Sequence, residues 1–184
     1  MLYTGKGDDG TTKTFGCDQR ISKSSAIAEA LGSLDEINSF LGFCKIKSVK
    51  EKLMLPDGVI SSETILNIQK NLFIIQAEVA GSEMSITEDK IKDIEKIIND
   101  IEKELPPIKS FFISGGTKLA VLFDISRTIA RRAERRVVEV SNEGKTKVSD
   151  FSKAYLNRLS SLLYALARFS NHKFGVKEES PDYE

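Results

Sequence analysis

The chain has few of the residues on which several common kinds of site depend. Its 184 residues include one histidine, two cysteines and no tryptophan. The single histidine, His172, leaves little material for a histidine-based zinc site or a Ser-His-Asp triad, and we interpret it as structural. The cysteines, Cys17 and Cys44, form no CxxC pair and provide no disulfide framework. Metal chemistry on side chains and triad catalysis are therefore not indicated.

An excess of one charge and long apolar runs are also lacking. Lysine plus arginine and aspartate plus glutamate each number 27, so general affinity for nucleic acid or acidic membrane is not indicated. No apolar run approaches the ~18 residues that would span a bilayer. The first residues, MLYTGKGDDG, are too polar for a signal peptide. We expect a cytoplasmic protein that binds neither nucleic acid nor membrane, with any anion site made by local clustering.

The pattern of apolar residues predicts helices nearly throughout the chain. Helical spacing recurs at about residues 24–47, 62–80, 87–105, 117–141 and 150–173, and no convincing pair of strands is present. The fold class predicted is all-α, an up-down, ferritin-like five-helix bundle in a single domain over 1–184. Within it, residues 1–23 form a flexible segment, 24–173 the bundle and 174–184 a tail that we expect to be disordered.

The run RTIARRAERR, residues 127–136, holds five arginines and no lysine. Helical geometry places Arg127, Arg131 and Arg135 on one face, roughly opposite an apolar stripe. Arginine binds phosphate in a bidentate manner, which lysine does not, so the run could form a polyphosphate site. The alternative, which is the commoner case for a generic helix, is a solvated helix whose arginines are partly neutralised by Asp124 and Glu134.

The segment TGKGDDGTTKT, residues 4–14, is rich in glycine, threonine and lysine. Glycine allows successive backbone N–H groups to point into one concavity, so the composition is that of a phosphate-binding nest. It is not a Walker A motif, because Thr11 stands where that motif has lysine. The alternative is a flexible terminus, which composition alone slightly favours.

A stripe of small residues on the first predicted helix surrounds one carboxylate. The stripe lets another helix approach closely, and it consists of Ala28, Gly32, Asp35, Ser39 and Gly42. A carboxylate desolvated in such a contact needs a partner, for which an arginine of another helix or subunit is the natural choice. The alternative is that Asp35 is simply solvated.

Two further features have open interpretations. Phe111 and Phe112 precede two glycines in a linker, where they could plug the core or wall a planar ligand. Asn157 on the last helix could hold a ribose or phosphate oxygen, although a polar helical face is the default interpretation.

Taken in order, these segments resemble the PduO-type ATP:cob(I)alamin adenosyltransferases. The resemblance covers almost the whole chain and rests on TGKGDDGTT, Lys23, ALGSLDEINSFLG, FFISGGT, RTIARRAERR and YLNRLS. It implies a bundle of about five helices that assembles as a homotrimer, with active sites between adjacent subunits. Two positions depart from the family pattern, since Gly5 replaces a usual Arg or Lys and Ser161 replaces a frequent Asp.

The resemblance also implies roles for matching residues. Those that would wrap the ATP triphosphate are Thr4, Gly5, Lys6, Gly7, Thr12, Lys13 and Lys23. Those that match the nucleotide-binding signature of the last two helices are Arg131, Arg132, Glu134, Arg135 and Asn157. Asp35 and Arg127 match a pair that joins subunits, and Phe111 matches an aromatic side chain beside the corrin. The catalytic residues implied are Arg131, Glu134 and Phe111.

The implied reaction transfers the 5′-deoxyadenosyl group of ATP to cob(I)alamin and releases triphosphate. Mg²⁺ is expected to enter bound to ATP, with no side-chain metal site, and a corrinoid reductase is a possible partner. The alternative from another class is a non-catalytic helical module that uses the same arginines to bind a nucleotide or another protein.

Overall fold

The computed structural model describes residues 2–14 and 19–183 and contains five helices within them. Their bounds are α1 Ala26–Glu51, α2 Ser61–Val79, α3 Glu88–Glu104, α4 Lys118–Glu143 and α5 Asp150–Lys173. The all-α prediction is confirmed, and α5 has its predicted bounds. The first and fourth helices extend a few residues beyond the predicted ends, where the helical pattern becomes more polar.

Helix ends coincide with residues that satisfy backbone groups. The hydroxyls of Ser25, Thr117 and Ser149 cap α1, α4 and α5 by accepting a hydrogen bond from an N–H of the first turn. Gly144 ends α4 in the left-handed conformation, with φ of 69°. These local signals fix the bounds of α4 and α5, which carry Arg131, Glu134 and Asn157.

The N-terminal segment contains a short hairpin that the sequence analysis missed. Strands β1 (Thr11–Lys13) and β2 (Arg20–Ser22) pair antiparallel, with Thr12 opposite Ile21. Strands of three residues are too short to show an alternating pattern. Cys17, which the sequence analysis considered for disulfides, lies outside the described residues.

The core forms where α4 packs against both α1 and α5. Ala130, Ala133 and Val137 of α4 are fully buried, as are Leu34 of α1 and Leu159 of α5. Small side chains on α4 allow its neighbours to approach closely, and its arginines are left to the opposite face. In the described part of the chain, none of the helices combines the length and apolar character that a membrane crossing needs.

Cys44 is a buried thiol of this core. It is fully buried on α1 and lies 3.2 Å from the hydroxyl of Ser126 on α4. Burial raises the pKa of this thiol to about 11, so the reactive thiolate is scarce at neutral pH. Cys44 therefore acts as a small apolar residue at the α1–α4 contact.

A buried carboxylate connects the end of α2 with the start of α5. Glu78 is 5% exposed and accepts hydrogen bonds from the backbone N–H of Ser149, at 2.8 Å, and from the hydroxyl of Ser152. A negative charge at the N-terminus of α5 is also favoured by the helix dipole. Glu78 thus fixes the point from which α5 begins.

We predict that Glu78→Ala lowers the free energy of unfolding by about 1.5–3 kcal/mol, because hydrogen bonds to a buried charged group are lost. Urea denaturation followed by circular dichroism measures the change. Glu83→Ala, which removes an exposed carboxylate nearby, should stay within about 0.5 kcal/mol of the parent protein. Equal stability of the two variants would contradict the role given to Glu78.

Candidate functional site

The exposed face of α4 presents two arginines whose charge is not neutralised. Arg131 and Arg135 are exposed and one helical turn apart. Neither forms an ion pair within residues 2–14 and 19–183. The two guanidinium groups are therefore available to bind an anion.

The other arginines of the run have partners within the chain. The closest contacts are Arg127 Nε with Asp124 at 4.0 Å, Arg132 with Glu36 of α1, and Arg136 with Glu139 at 2.9 Å. The predicted self-neutralisation of the helix therefore holds in part, through Asp124. Arg132, a predicted nucleotide ligand, lies on the side of α4 that faces α1.

Glu134 bonds to α5 rather than to an arginine of its own helix. Asn157 Nδ2 donates to Glu134 Oε1 at 3.1 Å, and Arg158 donates to Asn157 Oδ1 at 2.9 Å. Arg158 is itself held by Glu95 of α3 at 2.8 Å. These contacts set the orientation of Asn157 beside the arginine face, the side of α4 that carries Arg131 and Arg135. Two predicted nucleotide ligands, Glu134 and Asn157, are thus brought together.

The linker of residues 108–115 covers a cavity of about 660 Å³ above α4 and α5. Phe111 lines this cavity with 80% of its surface exposed, and Arg127 and Arg131 line it from α4. Phe112 is partly buried instead, with its ring 4.9 Å from the guanidinium carbon of Arg168. The adjacent phenylalanines therefore differ, because Phe112 anchors the linker and Phe111 faces the cavity.

Two ionisable groups in the cavity are partly removed from water. Burial raises the pKa of Asp124, and the nearby charge of Arg127 only partly offsets this. Burial likewise raises the pKa of Tyr164 on α5. Both side chains are thus partly desolvated where they line the cavity.

The N-terminal segment is folded by contacts with its own backbone. Lys23 Nζ donates to the carbonyl of Gly7 at 2.8 Å, and Arg20 donates to the carbonyls of Lys6 and Thr11. A Cβ on Gly7 would lie 3.1 Å from the backbone carbonyl oxygen of Thr11, so the close approach favours glycine. The structure shows a looped hairpin in which most of the predicted ATP ligands are exposed, namely Thr4, Gly5, Lys6, Lys13 and Lys23. The flexibility of this segment stays a prediction.

The contacts of this loop described above remain within residues 4–25. Those of Glu134 and Asn157 lie between α4 and α5. A single chain therefore brings Arg131 together with Phe111, and Glu134 together with Asn157. None of the contacts described above joins the N-terminal loop to the arginine face of the same chain.

Asp35 is exposed on α1, within the small-residue stripe. In the described part of the chain, apart from the neighbouring residues and backbone of α1 itself, no atom lies within 4 Å of a Cβ built on Gly32 or Gly42. Arg127, its predicted partner in another subunit, lies beside Asp124 in this chain, and its Nε is buried without a hydrogen-bond partner among residues 2–14 and 19–183. A pair between Asp35 and Arg127 of another subunit stays a prediction.

Sequence reasoning missed three residues that organise the site, Arg20, Arg168 and Asn171. Arg20 holds the N-terminal loop, and nothing in the sequence around it indicated this. Asn171 accepts a hydrogen bond from the N–H of Thr117 and donates to the carbonyl of Gly115, both at 2.9 Å. The double glycine could have signalled this contact, because a Cβ on Gly116 would lie 2.2 Å from Asn171 Oδ1.

We predict that Arg20→Ala loosens the N-terminal loop, because the substitution removes its bonds to Lys6 and Thr11. Limited trypsin digestion followed by mass spectrometry should show cleavage after Lys6 about tenfold faster than in the parent protein. Lys50→Ala, which removes an exposed cation from α1, should leave this rate unchanged. Equal cleavage rates in both variants would contradict the role of Arg20.

Comparison with known proteins gives a consistent set of relatives. A family model described as cobalamin adenosyltransferase matches residues 2–170. The corrinoid adenosyltransferase PduO of Citrobacter freundii is 37% identical over 180 residues, which cover 93% of this chain and 50% of that protein. A corrinoid adenosyltransferase of Bacillus subtilis is 35% identical, with 95% of this chain and 89% of that protein covered. The chain thus spans about half the length of the PduO relatives it matches.

A solved structure shares the fold over the full chain. It is a variant of the PduO-type ATP:corrinoid adenosyltransferase from Lactobacillus reuteri, complexed with cobalamin and ATP. The two superpose with a TM-score of 0.87 at 27% identity, with 100% of this chain and 97% of the other covered.

Proposed function

Since this chain belongs to the cobalamin adenosyltransferase family, we propose that it transfers the 5′-deoxyadenosyl group of ATP to cob(I)alamin. The products are adenosylcobalamin and triphosphate. The observation that carries the proposal is that the same cavity is lined by Arg131 and Phe111. Arg131 is a cation without an ion-pair partner in the described chain, and Phe111 is an exposed aromatic residue. A phosphate-binding group and a wall for a planar ligand thus meet where the two substrates must react.

The nucleotide half of the site uses the outer face of α4. Arg131 and Arg135 bind the phosphates in a bidentate manner, which their planar guanidinium groups allow. Glu134 and Asn157, joined at 3.1 Å, form a fixed polar pair for the sugar or for phosphate-bound water. The loop residues Lys6, Lys13 and Lys23 with their threonines complete the cradle around the triphosphate.

The corrinoid half of the site is the cavity below the linker. Phe111 presents an apolar ring to the corrin and excludes a lower axial ligand from the cobalt. Removing that ligand makes the Co(II)/Co(I) reduction more favourable. Asp124 and Tyr164, whose pKa values are raised by partial burial, line the same cavity.

The chemical step is a nucleophilic displacement. The cobalt(I) electron pair forms a bond to the 5′ carbon, the bond from that carbon to oxygen breaks, and triphosphate leaves with the electron pair of that bond. Negative charge develops on the leaving oxygen, so fixed cations lower the barrier. The step needs no general base, which agrees with a chain that has one histidine. The reactivity comes from the corrinoid, and the protein contributes positioning and charge.

Mg²⁺ enters this proposal as part of the bound nucleotide. Within residues 2–14 and 19–183 no group of three or more His, Cys, Asp or Glu side chains is placed to hold a metal. Phosphate oxygens are preferred Mg²⁺ ligands and leave the ion several waters. We therefore assign its main ligands to the triphosphate, where it neutralises part of the charge.

The site is completed by a neighbouring copy of the chain in a homotrimer. Support comes from large apolar side chains exposed on α1, namely Phe43, Ile46 and Val49. The exposed Asp35 and the unsatisfied Nε of Arg127 are complementary in charge. Such an interface would bring the N-terminal loop of one subunit to the arginine face of the next.

Cobalt(I) persists only under reducing conditions. We therefore propose a cytoplasmic location and a corrinoid reductase that supplies the electron to the bound substrate. Both follow from the chemistry of the substrate rather than from a surface of this chain.

The direct test mixes the protein with chemically reduced cobalamin, ATP and Mg²⁺. The expected result is the absorbance spectrum of adenosylcobalamin together with one triphosphate per product. Binding of ATP by calorimetry without any turnover would instead favour the non-catalytic nucleotide-binding module.

We predict that Arg131→Ala lowers kcat/KM for ATP by about 10²–10³-fold, because one fixed donor to the leaving triphosphate is lost. Steady-state kinetics at saturating cob(I)alamin measures the change. Arg136→Ala is the matched control, since Arg136 is paired with Glu139 outside the cavity. A loss in Arg131→Ala no larger than in this control would reject the role of Arg131.

We predict that Asp35→Arg separates the trimer by placing a cation against Arg127 of the next subunit, and that adding Arg127→Asp restores part of the assembly. Light scattering after size-exclusion chromatography measures the mass. A parent protein of monomeric mass, or an Asp35→Arg variant that stays trimeric, would contradict the proposed interface.

A further inference from the structure

Arg168 is the most buried cation of the cavity wall. It lies near the end of α5 with 5% of its surface exposed. Its Nε donates to both carboxylate oxygens of Glu178 at 3.1 and 3.0 Å, and its Nη2 donates to the carbonyl of Pro106 at 3.1 Å. The same guanidinium packs on the ring of Phe112. One side chain therefore joins Pro106, just before the linker, Phe112 within the linker, and the C-terminal segment.

Residues 178–180 also run beside the linker. The backbone N–H of Ile113 donates to the carbonyl of Glu179 at 2.8 Å, and the hydroxyls of Ser110 and Ser180 lie 2.7 Å apart. Phe111 lies between these two attachments. This segment belongs to the tail of residues 174–184, and it lies against the residues that present Phe111.

The charge of Arg168 explains why the segment lies there. A buried guanidinium without a counterion is strongly unfavourable, and Glu178 is its ion-pair partner within residues 2–14 and 19–183. The carboxylate therefore draws residues 176–180, the strap, across the end of α5. The linker has no regular secondary structure between Pro106 and Gly115, so its conformation depends on such side contacts.

We propose that the strap positions Phe111 for the corrinoid, with Glu178 acting as a positioning residue through Arg168. The proposal rests on the proposed function for its kinetic consequence and on the geometry alone for its structural one. Glu178 is also the residue of the strap that lines the cavity, whereas Glu179 does not line it.

The kinetic test compares Glu178→Ala, Glu178→Gln and Glu179→Gln. Glu178→Ala should raise KM for cob(I)alamin about tenfold through loss of a charge-assisted contact, with KM for ATP unchanged. Glu178→Gln keeps an acceptor for Arg168 and should be intermediate. Glu179→Gln removes an equal charge from an exposed side chain and leaves its backbone carbonyl in place, so its constants should match the parent protein.

A second readout does not depend on catalysis. Hydrogen exchange of the Ile113 amide, resolved by NMR, should be about tenfold faster in Glu178→Ala than in Glu179→Gln, because the bond to the strap opens more often. Equal exchange in the two variants would overturn the proposal even if the enzyme is active. An inactive parent protein with faster exchange in Glu178→Ala would reject the proposed function and retain the strap.

Three kinetic outcomes would also overturn the proposal. One is a corrinoid KM unchanged in Glu178→Ala, and another is an equal rise in both KM values, which would indicate general destabilisation. The third is a lower corrinoid KM, which would show that the strap obstructs the cavity. Thermal unfolding within about 2 °C of the parent protein would confirm that the variants remain folded.

Discussion

The close packing of α4 against α5 is the contact on which the rest of the molecule depends. Ala130 and Ala133 of α4 are fully buried, as is Leu159 of α5, and small side chains let the two helix backbones approach. This contact places Glu134 within hydrogen-bond distance of Asn157 and turns Arg131 outward. Since the linker crosses both helices, the same packing also determines where the cavity forms.

Local ion pairs form among the charged side chains around the packed helices. The chain as a whole is neutral, and most arginines around the site have a carboxylate partner, as Arg132 has Glu36 and Arg168 has Glu178. Arg131 has no such partner in the described chain. A neutral protein can therefore present a strong local anion site, and the paired arginines serve to hold α1, α4 and the strap in place.

Helices and their ends could be predicted because they depend on nearby residues. The capping hydroxyl of Ser149 and the leucine spacing of α5 are both local signals, and α5 has its predicted bounds. The faces of α4 follow from the same periodicity. The sequence therefore predicted that Arg131 and Glu134 lie near the same face of this helix. The roles proposed for Asn157 and Phe111 come from a family resemblance, because their residue types alone favour no single interpretation.

Contacts between distant segments could not be predicted in this way. Arg20 bonds to Lys6 across the hairpin, and Arg168 bonds to Glu178 beyond the end of α5. Neither pair produces a periodic pattern, and a polar, charged tail has the composition of a disordered segment. The contact between Arg168 and Glu178 depends on the burial of the arginine charge. That burial is a property of the packed bundle and not of the residues next to Arg168 in the sequence.

The absence of tryptophan allows the most direct test of the central claim, that the linker cavity receives the corrinoid against Phe111. In a Phe111→Trp variant, the only indole would face the cavity, and the corrinoid absorbs where tryptophan emits. Titration with cobalamin should quench this fluorescence saturably and more strongly than in Phe73→Trp, whose indole would lie on the exposed side of α2. Equal or absent quenching in the two variants would contradict the account.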